Sequence, residues 1–178
     1  MIGISAVLLL FATVGPVHAA DLVWSADLES DDAGFTAAGE TGQWEWDEVT
    51  TGPAVCFTGT ICWATLPQGA YLHEATDYLV FPLLDLTGVS APMLMFEHWM
   101  HISPSDVGTI EAQIGGTWTT LDPAYGYPDA NGYSSLTEGW EQVFVSLDGV
   151  GDAAALRLSI VTATAGVGSG WYVDDFAV

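Results

Sequence analysis

Residues 109–121 have the sequence Thr109-Ile-Glu-Ala-Gln-Ile-Gly-Gly-Thr-Trp-Thr-Thr-Leu121, in which Gly115-Gly116 separates two strand-like segments. Two glycines in this position are typical of a tight β-hairpin, whose turn residues adopt positive φ angles. Further along, residues 142–147 and 156–160 alternate apolar and polar side chains. Because a period of two is expected for half-buried strands, these segments are predicted to be β-strands.

The rest of the chain contains further strand-like segments separated by Gly, Pro, Asp and Asn. Residues 93–100 are apolar over most of their length, which predicts a central strand buried on both faces. The other strand-like segments are 22–28, 44–49, 78–84 and 171–178. Roughly ten short strands, with turn residues about every 8 to 15 positions and no helical periodicity, predict an all-β sandwich or jelly roll.

The amino terminus has the pattern of an export signal. Residues 2–14 form an apolar run, followed by a Gly15-Pro16 break and the small-residue stretch 17–20. This order is typical of a secretory signal peptide. No Lys or Arg precedes the apolar run, so the alternative is an ordinary buried segment. We predict that residues 1–20 are a signal peptide, that 21–178 form one domain, and that the protein is secreted or held at the cell surface.

The charge balance limits the classes of partner. The chain has 23 acidic side chains and one basic side chain, Arg157, giving a formal net charge of −22. Nucleic acid and anionic membranes are excluded as partners, because binding them requires a basic surface. The carboxylates must be hydrated, screened by salt or bound to cations. Adaptation to salty surroundings and divalent cation binding both explain this composition, and they are compatible.

Only two cysteines are present, Cys56 and Cys62, with five residues between them. In an exported chain, an isolated pair is most simply a disulfide. Gly59 lies at the centre and favours a turn that brings the two Cα atoms within bridging distance. A redox-active dithiol is the alternative, although its usual C-x-x-C spacing is missing.

The longest predicted loop, residues 122–139, carries Tyr125, Tyr127 and Tyr133. Aromatic side chains on a long loop are candidates for a contact surface, since loops commonly carry binding residues. The alternative is that these rings pack the loop onto the sandwich.

Seven segments match, in order, the pattern of one family of jelly-roll domains. They are Asp27-Leu-Glu29 with Gly34-Phe35, Gly42-Gln-Trp44-Glu-Trp46, Cys62-Trp-Ala-Thr65 with Gly69-Ala-Tyr71, Leu79-Val-Phe-Pro82 with Asp85-Leu86, Leu94-Met-Phe96-Glu-His-Trp99, Gly116-Thr-Trp118-Thr-Thr-Leu121 and Gly170-Trp-Tyr-Val-Asp-Asp-Phe-Ala-Val178. The chain resembles the MAM-like, concanavalin-like jelly-roll domains found beside immune inhibitor A-type metallopeptidases of secreted bacterial proteins. The closing segment is the most specific of the seven.

The resemblance implies a two-sheet antiparallel jelly-roll sandwich in which the first and last strands are close together. It also implies a structural calcium ion held by acidic residues of those two strands. Carried over to this chain, the ligands are Glu29 and either Asp174 or Asp175, with Asp31 and Asp106 as further candidates from loops.

The residues themselves support a metal partner. Calcium binds six to eight oxygen ligands, which carboxylates and carbonyls supply. In a strand, Asp174 and Asp175 point to opposite faces, so only one of them can point beside the core. A buried carboxylate requires a partner, and a chain with one basic side chain offers few. The alternatives are that both are solvated or that backbone amides bind them.

Transition-metal and hydrolase sites are poorly matched. His98 and His101 have a spacing that puts their rings on opposite faces of a strand, and the H-E-x-x-H motif is absent. We therefore predict a secreted, calcium-stabilised, non-catalytic binding or adhesion module rather than an enzyme. Its partner is an extracellular glycan or protein.

The candidate glycan-binding aromatic residues are Trp44, Trp46, Trp63, Tyr125 and Tyr127, with core packing as the alternative for the tryptophans. Two further functions stay open. The first is a structural subunit of a surface layer or filament formed by self-association. The second, less favoured, is a calcium-dependent hydrolase.

Overall fold

The computed structural model describes residues 21–178, and the predicted signal peptide, 1–20, lies outside the described residues. The described part contains fourteen strands: β1 Ser25–Ala26, β2 Thr36–Gly39, β3 Trp44–Glu48, β4 Ile61–Thr65, β5 Thr76–Val80, β6 Leu84–Asp85, β7 Met93–Ile102, β8 Val107–Ile114, β9 Thr117–Leu121, β10 Ser135–Leu136, β11 Glu141–Ser146, β12 Ala153–Ala154, β13 Leu156–Val161 and β14 Gly170–Ala177. Within these residues there is no helix of the length and apolar character needed to cross a bilayer.

The strands form two main antiparallel sheets and a small third one. The large sheet has the order β10-β7-β14-β4-β3, with β11 also on β7 and β1 also on β14. The second sheet has the order β2-β5-β13-β8-β9, and β6 pairs with β12. The predicted all-β, two-sheet antiparallel sandwich is confirmed, and so is the pairing of the first and last strands.

The hairpin at Gly115-Gly116 is confirmed. Ile114 pairs with Thr117, and the two glycines have φ angles of 59° and 84°, which only glycine adopts without strain at both positions. The predicted central strand is β7, which lies between β14 and β11 in the large sheet. Leu94, Phe96, Met100 and Ile102 belong to the core between the sheets, whereas Met93, Met95 and Trp99 on the other face are partly buried or exposed. The prediction of burial on both faces therefore holds for one face only.

The core between the sheets is rich in aromatic rings. Phe35, Phe81 and Phe176 contact one another with centroids 4.7 to 5.2 Å apart, and Phe96 stacks on Phe176 at 5.3 Å. Offset and edge-to-face pairs of this kind contribute about 0.5–1.5 kcal/mol beyond the area they bury. This cluster fixes the spacing of the two sheets.

The last strand, β14, is interrupted on one side. It pairs with β7 along one edge, while its other edge pairs first with β4 as far as Val173 and then with β1 from Phe176. The register on β7 shifts between Asp174 and Ala177, as it does at a β-bulge. Asp174 and Asp175 therefore lie in the gap between β4 and β1.

The long loop, residues 122–139, joins β9 of the second sheet to the edge of the large sheet. Tyr133 is held in it by two hydrogen bonds with the backbone of Gly108, both 2.8 Å long. The short strand β10 lies within the loop and pairs with the end of β7. The loop closes one side of the sandwich and forms one wall of a cleft there.

Candidate metal site and ligand cleft

Three carboxylates converge on the loop between the two cysteines. Cys56 and Cys62 form a disulfide with Cα atoms 5.8 Å apart, which confirms the predicted pairing. The backbone N–H of Thr60 donates to both Glu29 oxygens at 3.1 and 3.2 Å. The Thr58 N–H donates to Asp174 at 3.1 Å, and the Thr58 hydroxyl to Asp175 at 3.0 Å. We call Glu29, Asp174 and Asp175 the carboxylate cluster.

Gly59 shapes the loop around this cluster. Its φ angle is 54°, and a Cβ atom built there would overlap the Glu29 carboxylate. Any other residue would have to displace Glu29 or deform the loop, and would add strain in the left-handed region. The disulfide-bonded loop therefore encloses Glu29 as a close-fitting cradle.

Asp174 is the buried member of the cluster. It has no exposed surface, and its hydrogen bonds come from the backbone N–H groups of Thr58 and Asp175. Burial, with the charges of Asp175 and Glu29, raises the pKa of Asp174 to about 7. Glu97, which is paired with Asp174 across the sheet, also has a raised pKa because of burial and the charge of Asp175. This region concentrates negative charge without a basic side chain.

The donor set suits a hard divalent cation. Carboxylate oxygens are the ligands that calcium prefers, and its six to eight positions tolerate irregular geometry. The disulfide sulfurs of Cys56 and Cys62 lie within 4.8 Å of an Asp174 oxygen. Because they are bonded to each other, they offer no thiolates to a softer metal. The oxygens of Glu29, Asp174 and Asp175 are not all within 4.8 Å of one another, so these residues would hold a shared calcium ion only after at least one carboxylate moves inward.

The two further metal candidates lie in different places. Asp31 is exposed in a turn, where its carboxylate accepts a hydrogen bond from the Ala33 N–H at 2.9 Å. It lines the same open groove as Asp175, beside β1. The structure does not bring Asp106 to the cluster. Asp106 is buried and accepts hydrogen bonds from the Tyr71 hydroxyl, the Ala163 N–H and the Ser105 hydroxyl, so the protein itself satisfies its charge.

The three candidate tryptophans face the core, which agrees with the alternative that they pack in the core and do not bind a glycan. Trp44 is 2% exposed and Trp63 is 6% exposed, so neither presents a ring face to a ligand. Trp46 is partly buried, packs against the core and donates from its indole N–H to the Leu28 carbonyl at 2.9 Å. Their alternation on β3 and β4 places them on the inner face of the sheet.

The two candidate tyrosines have different environments. The Tyr127 hydroxyl donates to the Leu121 carbonyl at 2.7 Å and accepts from the Ile110 N–H at 2.9 Å, which anchors the long loop. Tyr125 is 86% exposed and contacts Phe144 edge to face, with centroids 6.3 Å apart. Of the five candidate aromatic residues, Tyr125 is the one that offers a free ring face.

Tyr125 stands at the rim of a cleft of about 340 Å³ between the long loop and β11. We call it the Tyr125 cleft. It is lined by both aromatic and polar side chains, including Tyr125, Tyr133, Phe144, His98 and Glu141. An apolar platform with a few convergent polar groups is the usual composition of a small-ligand site.

His98 forms part of the cleft floor. Its ring is almost fully buried, contacts Tyr133 edge to face at 4.8 Å, and accepts a hydrogen bond from the Trp171 indole N–H at 3.3 Å. Burial lowers the pKa of His98 to about 4, so the ring is neutral at pH 7. His101 lies on the opposite face of β7 and is exposed, as the strand spacing predicts.

The outer face of the large sheet is partly covered by the chain segment that leads to the disulfide. The Thr51 hydroxyl hydrogen-bonds the Tyr172 hydroxyl at 2.9 Å, and Gly52 lies against the Tyr172 ring. Inside the disulfide-bonded loop that follows, the Phe57 and Trp140 rings are in contact, with centroids 6.0 Å apart. The segment shields the middle of this face, so the Tyr125 cleft is the more accessible aromatic surface.

Comparison with known proteins gives the fold rather than a family. No protein-family model matches the chain. Bacillopeptidase F of Bacillus subtilis (strain 168) is 22% identical over 153 residues, which are 85% of this chain and 10% of that protein. The chain thus spans about a tenth of the length of that curated relative.

Solved structures with the same architecture include adhesin and carbohydrate-binding domains. The K2 cleaved adhesin domain of Lys-gingipain has a TM-score of 0.55 and 12% identity, covering 86% of this chain and 97% of that domain. A xylan-binding domain from CBM 22 has a TM-score of 0.51 and 13% identity, covering 88% of this chain and 92% of that domain. These likenesses confirm the jelly-roll sandwich, while the MAM-like family stays a prediction.

Proposed function

We propose that the chain is a non-catalytic binding module of the MAM-like type, exported from the cell, stabilised by calcium, and specific for an extracellular glycan. The glycan binds in the Tyr125 cleft. The observation that carries this proposal is the Tyr125 ring, which is 86% exposed beside a cleft that also contains polar side chains. A tyrosine combines an apolar ring with a polar hydroxyl and is enriched at binding interfaces, and here it lies beside a concave site with convergent polar groups.

The fold supports a binding role. Sandwiches of this architecture occur in an adhesin domain and in a xylan-binding domain, both at low sequence identity. Because one fold hosts many functions, the glycan assignment rests on the cleft and not on the fold. The predicted signal peptide and the disulfide support export, since disulfides persist in oxidising compartments.

Calcium has a structural role in this proposal. The ion lies at the carboxylate cluster, where it joins the turn after β1, the disulfide-bonded loop and β14. Glu29 and the two late aspartates bring ligands from opposite ends of the domain, so a shared ion stabilises the closed sandwich. The cluster and the cleft are formed by different segments, which makes ligand binding and metal binding separable by mutation.

Replacing Tyr125 with alanine is expected to weaken glycan binding about thirtyfold, the effect of removing a central aromatic anchor worth about 2 kcal/mol. Because the side chain is exposed, the melting temperature should stay within about 2 °C of the native value. A glycan array in the presence of calcium, followed by titration of the best neutral oligosaccharide into both proteins, measures this. Leu83, an exposed apolar residue outside both the cleft and the disulfide-bonded loop, provides the control as L83A.

An unchanged affinity of the Tyr125→Ala protein would place the ligand outside the cleft. If the native protein binds no glycan on the array, the glycan proposal is wrong and a protein ligand is favoured. Ordered polymers in sedimentation at high concentration would favour a surface-layer subunit instead.

A further inference from the structure

The floor of the Tyr125 cleft holds a polar group whose hydrogen-bonding capacity is unused. The Nδ1 atom of His98 accepts the hydrogen bond from the Trp171 indole. Because an indole N–H can only donate, Nδ1 is the unprotonated nitrogen of the neutral ring, and Nε2 carries the hydrogen. Within residues 21–178, this N–H has no hydrogen-bond partner. The nitrogen is open to the cleft and not sealed in the core, because among these residues the fully buried side-chain polar atom without a partner is Trp44 Nε1.

The Glu141 carboxylate faces this donor across a gap. Glu141 Oε2 lies 4.0 Å from His98 Nε2, and its side chain is 59% exposed at the cleft rim. The separation is too long for a direct hydrogen bond. An oxygen atom between them can lie about 2.9 Å from each, which is a normal hydrogen-bond distance. A hydroxyl group fits that position, because it accepts from Nε2–H and donates to the carboxylate.

The charge of the surroundings restricts the ligand. The single basic side chain, Arg157, is paired with Glu111 and sandwiched between Tyr78 and Trp118 on the outer face of the second sheet. An anionic sugar in the cleft would therefore meet Glu141 and the field of a chain of net charge −22 without a compensating basic side chain. A neutral sugar has hydroxyls for the gap and carries no such penalty.

We infer that His98 and Glu141 together bind one hydroxyl group of an uncharged sugar that stacks on Tyr125, and that the cleft rejects glycans carrying carboxylate or sulfate groups. The inference rests on the proposed glycan-binding function and adds the class of sugar and the two residues that select it. His98 fixes the position of the hydroxyl, and Glu141 makes the site selective against negative charge.

Calorimetric titration of four oligosaccharides into the mature chain with calcium tests this inference. Xylohexaose, cellohexaose and β-1,4-galactohexaose are neutral, and hexagalacturonate is the charged counterpart of the third. We expect at least one neutral probe to bind and hexagalacturonate to bind at least tenfold more weakly than galactohexaose. His98→Phe keeps a buried aromatic ring but lacks both the Nε2 donor and the acceptor of the Trp171 indole, so its folded fraction is checked by melting before titration, and the folded protein should bind the neutral probe about tenfold more weakly. Glu141→Ala, at an exposed position, should do the same without a change in melting temperature.

A readout specific to the hydrogen bond is the ¹⁵N chemical shift of His98 Nε2, which should move on saturation with the neutral probe. Native-like binding by both variants, or an unmoved Nε2 resonance, would overturn the role of the pair while leaving the glycan proposal intact. Equal binding of hexagalacturonate and galactohexaose would overturn the selection against charge. A native protein that binds none of the four probes would overturn this inference together with the glycan proposal.

Discussion

The Asp174→Asn protein is expected to lose the stabilisation that calcium gives to the native chain. An ion that binds only the folded state stabilises it. When the free ion concentration is a hundred times the dissociation constant, the free energy of unfolding rises by about 3 kcal/mol. For a domain of this size, that corresponds to about 6 to 12 °C in melting temperature. Asparagine keeps the shape of the side chain but removes the charge of the buried member of the cluster, so the calcium-dependent increment should fall below about 1 kcal/mol.

Urea unfolding at pH 8, with calcium and with chelator, measures this increment for each protein. The difference between the two conditions cancels the hydrogen bond that asparagine loses in both. Asp148→Asn, at an exposed turn position, removes the same charge from the chain without touching the cluster and should keep the full increment. Equal increments in the native and Asp174→Asn proteins would show that Asp174 holds no ion.

Removing the Asp77 side chain should destabilise the fold by about 4 kcal/mol, whether or not calcium is present. Asp77 is fully buried, but four donors bind it: the Thr41 N–H at 2.9 Å, the Thr41 hydroxyl at 2.6 Å, the Gly42 N–H at 2.8 Å and the Gln43 amide at 2.9 Å. Asp77→Ala leaves these groups without an acceptor, at a cost of about 1–3 kcal/mol for each one that stays buried.

The same urea series compares the two buried aspartates. In Asp77→Ala the loss should be equal with calcium and with chelator, because hydrogen bonds and not a cation satisfy this carboxylate. A loss of less than about 1 kcal/mol would show that water replaces the acceptor. A loss confined to the calcium samples would place the ion at Asp77 instead of at the cluster.

The strands with regular patterns were predictable from the sequence. Gly115-Gly116 and the alternating segments at 142–147 and 156–160 correspond to the β8–β9 hairpin, β11 and β13. Local periodicity was sufficient there because each strand buries one face. The strands Thr36–Gly39 and Ile61–Thr65 were not predicted from their own patterns, since small residues or a nearly continuous buried run give no alternation.

The pairing of Glu29 with the late aspartates was implied by family resemblance and could not come from local pattern. It depends on the gap between β4 and β1 along β14, a product of sheet topology. The same limit applies to Asp77 and Asp106. The groups that bind the Asp77 and Asp106 carboxylates include residues 36 and 57 positions away in sequence. The local sequence around these two aspartates therefore does not distinguish them from the exposed acidic residues.

The cleft was only partly predictable. The long loop and its tyrosines indicated a contact surface, but Tyr127 is an anchor and Tyr125 is the exposed ring. His98 was considered only as a metal ligand, because a histidine in an apolar strand gives no sign of an unused donor. That property depends on Trp171 and Glu141, which lie 73 and 43 positions away.

Direct titration of calcium into the metal-stripped mature chain, with Glu29→Gln beside it, measures whether the carboxylate cluster shares a divalent ion. We predict one ion bound per native chain, a rise in melting temperature that follows its occupancy, and binding at least tenfold weaker in the Glu29→Gln protein. Absence of calcium binding at millimolar concentration, with an unchanged melting temperature, would contradict the proposed role of the cluster.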